Sequence, residues 1–308
     1  MEINRVNLND KKLLISFFRQ RSKEIESELI NKFGRNSYKK ITQKLQPKLK
    51  ESRDNFIRVV LQKSEKEKWS KKERLGYILM LHYVTNVVML ESRHLIWEYE
   101  YMTFSRRNGE LWEDFISVCF HYPVCNDLEI VVPPLFSNVK DRLRNEVIDF
   151  INKLTIDIEQ KNELINYYTR VWLLVDAGEI QLELDMHCFK KGVNYNIDFK
   201  SGFSSNEKGN TNRLLVVASI YKNILNSEYT NLMMVRSDES ENNHYLQTLK
   251  KSNLWEVSCS NETYNKIGEI VEFDLRNWIN INIHWENDLK EEVVKDFSKL
   301  DLMGYLSW

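Results

Sequence analysis

Three residues, Asp185, Asp198 and Lys200, have the types and the spacing to do chemistry. Paired carboxylates offer hard oxygen ligands to Mg²⁺, an ion that keeps several of its waters and binds phosphate oxygens. A metal held in this way polarises a phosphate and lowers the pKa of a bound water. An ammonium group beside it orients that water, or neutralises the charge that builds on the phosphorane. Phosphodiester hydrolysis is the chemistry that suits the trio.

Two strands and a turn must position these groups. Ile180, Leu182, Leu184 and Met186 alternate with Gln181, Glu183, Asp185 and His187, the period of two that a half-buried strand requires. Val193 to Phe199 repeats the pattern, with Asn194, Asn196, Asp198 and Lys200 on the polar side. Lys190, Lys191 and Gly192 supply the turn, where glycine allows the positive φ of a short hairpin. A turn centred on Lys191 and Gly192 sets Asp185 opposite Asp198, with facing side chains roughly 5 Å apart, and Lys200 leaves the same face. A slip of one residue would send the acids to opposite faces. Glu183 shares the face of Asp185 and is its rival as first acid. The plainer alternative is an exposed hairpin whose polar face simply carries charges.

An acid at the end of one strand, then Asp-x-Lys on the next, resembles the PD-(D/E)xK nuclease superfamily, and within it the type II restriction endonucleases. The likeness lies mainly in residues 105–117 and 178–236. The same short spacing occurs at Asp10/Lys12, Glu159/Lys161 and Asp288/Lys290, in helical or charged segments that follow no acid-bearing strand. The proline usual before the first acid is replaced here by Leu184. The resemblance implies an α/β fold: a restriction-endonuclease-like mixed β-sheet core flanked by helices, with a helical N-terminal region. It implies Mg²⁺ held by Asp185, Asp198, Phe199 and Glu113, with Asp185, Asp198, Lys200 and Glu113 as the catalytic set.

Glu113 enters through an Arg106-x-x-Gly109-x-x-x-Glu113 pattern, similar to the helix that leads into the nuclease core of many restriction enzymes. A surface glutamate at a helix start is the competing explanation. Arg106 and Arg107 are candidates for backbone phosphates. Ser201 to Arg213 reads as a polar loop, whose Ser204, Ser205, Asn206, Lys208, Asn210 and Arg213 suit DNA contact, as does Arg236 after the strand Leu232–Val235.

With 308 residues and 42% apolar residues the chain has material for a large core. Charge is balanced overall, but the first eighty residues are rich in Lys and Arg, which suits phosphate contact or a solvated helix surface. Helical spacing runs over residues 8–34 with Asn9 or Asp10 as cap, over Lys39–Lys68 as one or two basic helices with Pro47 the expected break, and from a Ser70/Glu73 capping box to about Tyr101. Helical pattern returns over 138–170. Leu214–Leu225 is a strand or buried helix, Asn243–Lys251 a short helix and Trp255–Cys259 a strand. The expected division is a basic helical region over 1–104, a nuclease core over 105–275 with a helical insertion at 138–175, and a packing or subunit-contact tail over 276–308.

Cys119, His121 and Cys125 lack a matching second pair for zinc, so packing is the expectation there. Four cysteines without a disulfide framework, no signal peptide and no span-length apolar run point to a cytoplasmic, bacterial-type intracellular enzyme without a membrane partner. The expected function is a Mg²⁺-dependent type II site-specific deoxyribonuclease of a restriction-modification system, a homodimer reading double-stranded DNA. A less selective repair or phage nuclease of the same fold is the alternative, or a non-catalytic DNA-binding protein that kept the fold.

Overall fold

The computed structural model describes residues 10–175, 180–203, 207–225 and 228–308, and the chain divides into two compact units. Four helices open the chain: α1 (Lys11–Phe33), α2 (Tyr38–Lys66), α3 (Lys71–Ile96) and α4 (Tyr101–His121). Asp10 caps α1 by accepting the Leu13 N–H. Ser70 and Glu73 form the reciprocal capping box at the start of α3. α3 is buried nearly all round, as its apolar sequence requires, but it ends at Ile96 rather than near Tyr101. α2 runs straight through Pro47. A proline removes only one helical N–H, and the burial of Leu45, Leu49, Phe56 and Ile57 on one face holds both halves in a single helix.

The second unit, 127–260, carries a five-stranded mixed sheet. Its elements are β1 (Leu128–Ile130), α5 (Phe136–Lys153), α6 (Ile158–Val175), β2 (Met186–Lys190), β3 (Val193–Lys200), α7 (Lys208–Asn223), β4 (Tyr229–Val235), α8 (His244–Lys251) and β5 (Glu256–Cys259). The sheet order follows the chain; β1, β2 and β3 are antiparallel neighbours, while β4 and β5 add in parallel through the helical crossovers α7 and α8. Leu214, Val217, Ala218 and Tyr221 of α7 share a core with Met233 and Val235 of β4.

The chain then returns to the first unit as α9 (Asn261–Val271), α10 (Leu275–Asn282), α11 (Trp285–Asp288) and α12 (Glu291–Lys299). Trp112 of α4 donates to the Tyr264 hydroxyl of α9 at 3.0 Å, and Trp285 packs edge-on against Tyr83. The division therefore falls at 126/127 and 260/261, not at the expected 104/105 and 275/276: residues 105–126 and 261–308 belong to the helical unit. All four cysteines are free and buried. Among the described residues no helix is long and apolar enough to cross a membrane.

Candidate metal centre

The β2–β3 hairpin has the register its sequence implies. Lys190 pairs with Val193 and Met186 with Ile197, so the turn is centred on Lys191 and Gly192, both at positive φ, as the favoured two-residue hairpin requires. One step beyond the ladder, Asp185 faces Asp198. Hydrogen-bonded strand begins only at Met186, not at Ile180. Leu182 and Leu184 are nevertheless buried and Glu183 and Asp185 exposed, so the burial alternation persists without a pairing strand. Side chains hold this segment instead: the Tyr221 hydroxyl donates to the Leu182 carbonyl at 3.1 Å, and Arg213 Nη1 donates to the carbonyls of Gln181 and Glu183 at 3.4 Å.

Asp185 is tied to the second strand directly, its Oδ2 accepting the Phe199 backbone N–H at 2.7 Å. Asp198 is 1% exposed. Lys200 Nζ stands 2.7 Å from Asp198 Oδ1, and Arg213 Nη2 stands 3.8 Å from Oδ2. Burial pushes the Asp198 carboxyl up to about 6; the Lys200 charge opposes the rise and the neighbouring Asp185 reinforces it. Lys200 Nζ also donates to the Phe199 carbonyl at 3.3 Å. These contacts gather two carboxylates and one main-chain carbonyl, all hard oxygen donors of the kind Mg²⁺ takes, beside two cationic side chains. The donor set fits a divalent cation, with Asp185, Asp198 and the Phe199 carbonyl as the groups that would hold it. A buried acid of this kind is not part of an exposed charged hairpin.

No protein-family model, no curated protein and no solved structure matches this chain.

Behind the acids lies a polar ladder. His187, Asn196 and Asn231 face one another in register on β2, β3 and β4, all buried. His187 Nδ1 meets Asn196 Oδ1 at 2.9 Å, and Asn196 Nδ2 donates to Asn231 Oδ1 at 3.0 Å. The Leu184 N–H donates to His187 Nε2 at 2.8 Å, so Nδ1 carries the ring proton. Burial lowers the His187 pKa, which keeps that neutral tautomer. The ladder thus fixes the main chain immediately before Asp185. Sequence patterning places His187 and Asn196 on the polar face but gives no sign that they bond across three strands.

Lys208, Asn210 and Arg213 are not in a loop: they sit in the first turns of α7. There Lys208 is exposed and Asn210 donates to Glu207 at 3.0 Å. Arg213 is turned onto Asp198 rather than held free for DNA. Ser204, Ser205 and Asn206 lie outside the described residues. Arg236 follows β4, its backbone N–H donating to the Lys200 carbonyl at 2.9 Å. Gly202 lets this strand end come close: a Cβ there would sit 2.9 Å from Ser237 Oγ. Glu113, Arg106 and Arg107 belong to the helical unit. Their pattern does not open a helix, because α4 starts at Tyr101. Glu113 is half-buried, while Arg106 and Arg107 both pair with Glu110, at 3.0 and 2.7 Å.

Proposed function

We propose that this chain hydrolyses phosphodiester bonds in DNA with the help of Mg²⁺, and that its sheet core is of the restriction-endonuclease kind. The observation that carries the reading is Asp185 facing Asp198 across one tight turn, with Lys200 Nζ 2.7 Å from the buried acid. A bound Mg²⁺ supplies a polarised phosphate and an acidified water. The chain's own groups divide the remaining work. Asp185 and Asp198 would hold the ion, and the Phe199 N–H fixes the first of them on the second strand. Lys200, an ammonium on the rim of the site at 21% side-chain exposure, neutralises charge that develops on the phosphate. Lys200, and more weakly Arg213, oppose the loss of charge that burial imposes on Asp198.

The finer reading is a type II restriction enzyme: a homodimer on a short palindromic site, each subunit cutting one strand, in a restriction-modification system. Its support is the resemblance of the Asp185, Asp198, Lys200 pattern, together with a mixed sheet flanked by helices. Digestion of mixed-sequence double-stranded DNA with Mg²⁺, followed by sequencing of the fragment ends, tests it. Ends that share one short symmetric motif support site-specific cutting. Scattered ends would remove the restriction assignment while keeping the hydrolytic one, and intact DNA would remove both.

A further inference from the structure

The helical unit contains a cleft that the hydrolytic centre does not use. Its volume is about 660 Å³, within the range that encloses a small ligand. One wall is α2 around Pro47 and Lys50, and the other is the α3–α4 junction with the first turns of α4.

Arg93 is the unusual group in that wall. It is 8% exposed, and its guanidinium carbon lies 4.5 Å from the Trp97 ring centroid and 4.8 Å from that of Tyr99. Its Nη1 is buried without a hydrogen-bond partner, and among the described residues no carboxylate forms an ion pair with it. The buried guanidiniums of well-packed helices are normally neutralised, because an unpaired buried charge is costly. The flanking rings offset part of that cost through their quadrupoles but leave the planar donor fork unfilled. That fork matches a phosphate or carboxylate. Lys50, Arg93, Arg106 and Arg107 line the cleft together with Glu98, Glu100 and Glu110; Arg106 and Arg107 share the carboxylate of Glu110, so the lining carries a small positive excess. Trp97 is 42% exposed at the cleft and presents indole surface on which a planar ring can stack.

We infer that this cleft is a binding site for a nucleoside phosphate, its phosphate on Arg93 and Arg107 and its base against Trp97. The same chemistry comes from a free mononucleotide or from one unit of a single strand, and a titration separates the two sources. The inference does not depend on the hydrolytic reading, because the site lies within the helical unit alone.

Calorimetric titration of the full chain in EDTA, which silences any metal-dependent step, tests it with four probes: AMP, adenosine, inorganic phosphate and a short single-stranded oligonucleotide. AMP should bind, with adenosine and phosphate each at least tenfold weaker. An oligonucleotide that binds more tightly than AMP identifies the strand as the source, and weaker binding identifies the free nucleotide. Arg93→Gln should weaken AMP binding at least tenfold. Because Arg93 is buried, Trp97→Ala and Arg107→Gln, at more exposed positions, give second and third readings and should each weaken AMP in a correctly folded chain. Asp198→Ala should leave AMP binding unchanged. Absence of AMP binding, unchanged binding in both Trp97→Ala and Arg107→Gln, phosphate as tight as AMP, or loss of binding in Asp198→Ala would each overturn the assignment.

Discussion

Asp185, one residue outside the strand ladder, is anchored to β3 by accepting the Phe199 backbone N–H at 2.7 Å. Without that bond the acid would sit at the end of an unpaired segment, free to turn away from Asp198. With it, the two carboxylates are held on one face by a main-chain donor that no side-chain mutation removes.

The choice of first acid follows from this bond. Asp185→Asn should abolish Mg²⁺-dependent cutting, while Glu183→Gln retains at least part of it, since the side chain facing Asp198 is that of Asp185. Initial rates on plasmid DNA distinguish the two. A dead Glu183→Gln beside an active Asp185→Asn would move the first ligand to Glu183.

The polar ladder should matter for both stability and activity. Asn196→Ala leaves the His187 ring N–H and the Asn231 carbonyl oxygen buried without their partner, which costs about 1–3 kcal/mol. It also frees the main chain before Asp185, so a larger metal requirement for cutting should accompany the loss. Urea denaturation and a Mg²⁺ titration of the rate measure the two effects; an unchanged midpoint would show that the ladder is not satisfied as described.

Because burial raises the Asp198 pKa to about 6, protons compete with the metal at mildly acidic pH. Metal affinity should fall as pH drops through about 6, at most about tenfold per pH unit. Without metal the sign for stability is the reverse: the contribution of Asp198 is full below its unfolded value and is lost as pH rises through about 6. Asp198→Asn should therefore be more stable than the parent chain at pH 7 in EDTA. Thermal unfolding at pH 5 and pH 7 checks this, and an Asn variant of equal or lower stability at pH 7 contradicts it.

The helical unit carries an acid-sensitive group of its own. His82 is buried beside Arg53, whose Nη1 lies 3.1 Å from His82 Nδ1, and burial lowers its pKa to about 3. The folded chain thus takes up this proton less readily than the unfolded chain. Stability is full above about 6.5 and falls with decreasing pH, by about 1.4 kcal/mol per pH unit from this group down to about 3. His82→Asn should flatten that slope in denaturation curves taken between pH 6 and pH 4.

The hairpin was legible in the sequence because its information is local. Alternation set the faces, Gly192 set the turn, and together they fixed the register that faces Asp185 with Asp198. The same alternation overran the start of β2, because period-two patterning reports burial and not hydrogen bonding. Leu182 and Leu184 share the buried core of α7, and the segment's main chain bonds to side chains rather than to a strand: the Leu182 carbonyl to Tyr221, the Gln181 and Glu183 carbonyls to Arg213 and the Leu184 N–H to His187. Lys208 to Arg213 reads as loop from its Gly and Asn content. It is helical because Leu214, Val217, Ala218 and Tyr221 bury one continuous face just downstream. The unit boundaries had no local signal, since the chain leaves the helical unit at 126 and rejoins it at 261.

The most direct test is Mg²⁺-dependent strand cleavage of plasmid DNA by the parent chain, Asp198→Ala and Lys200→Ala, with DNA binding measured in parallel. The parent should cut. Asp198→Ala should not, and Lys200→Ala should be slower by about 10²- to 10³-fold or more, with both variants still binding DNA. A parent chain that never cuts, or either variant cutting at the parent's rate, would contradict the claim that these residues form a hydrolytic centre.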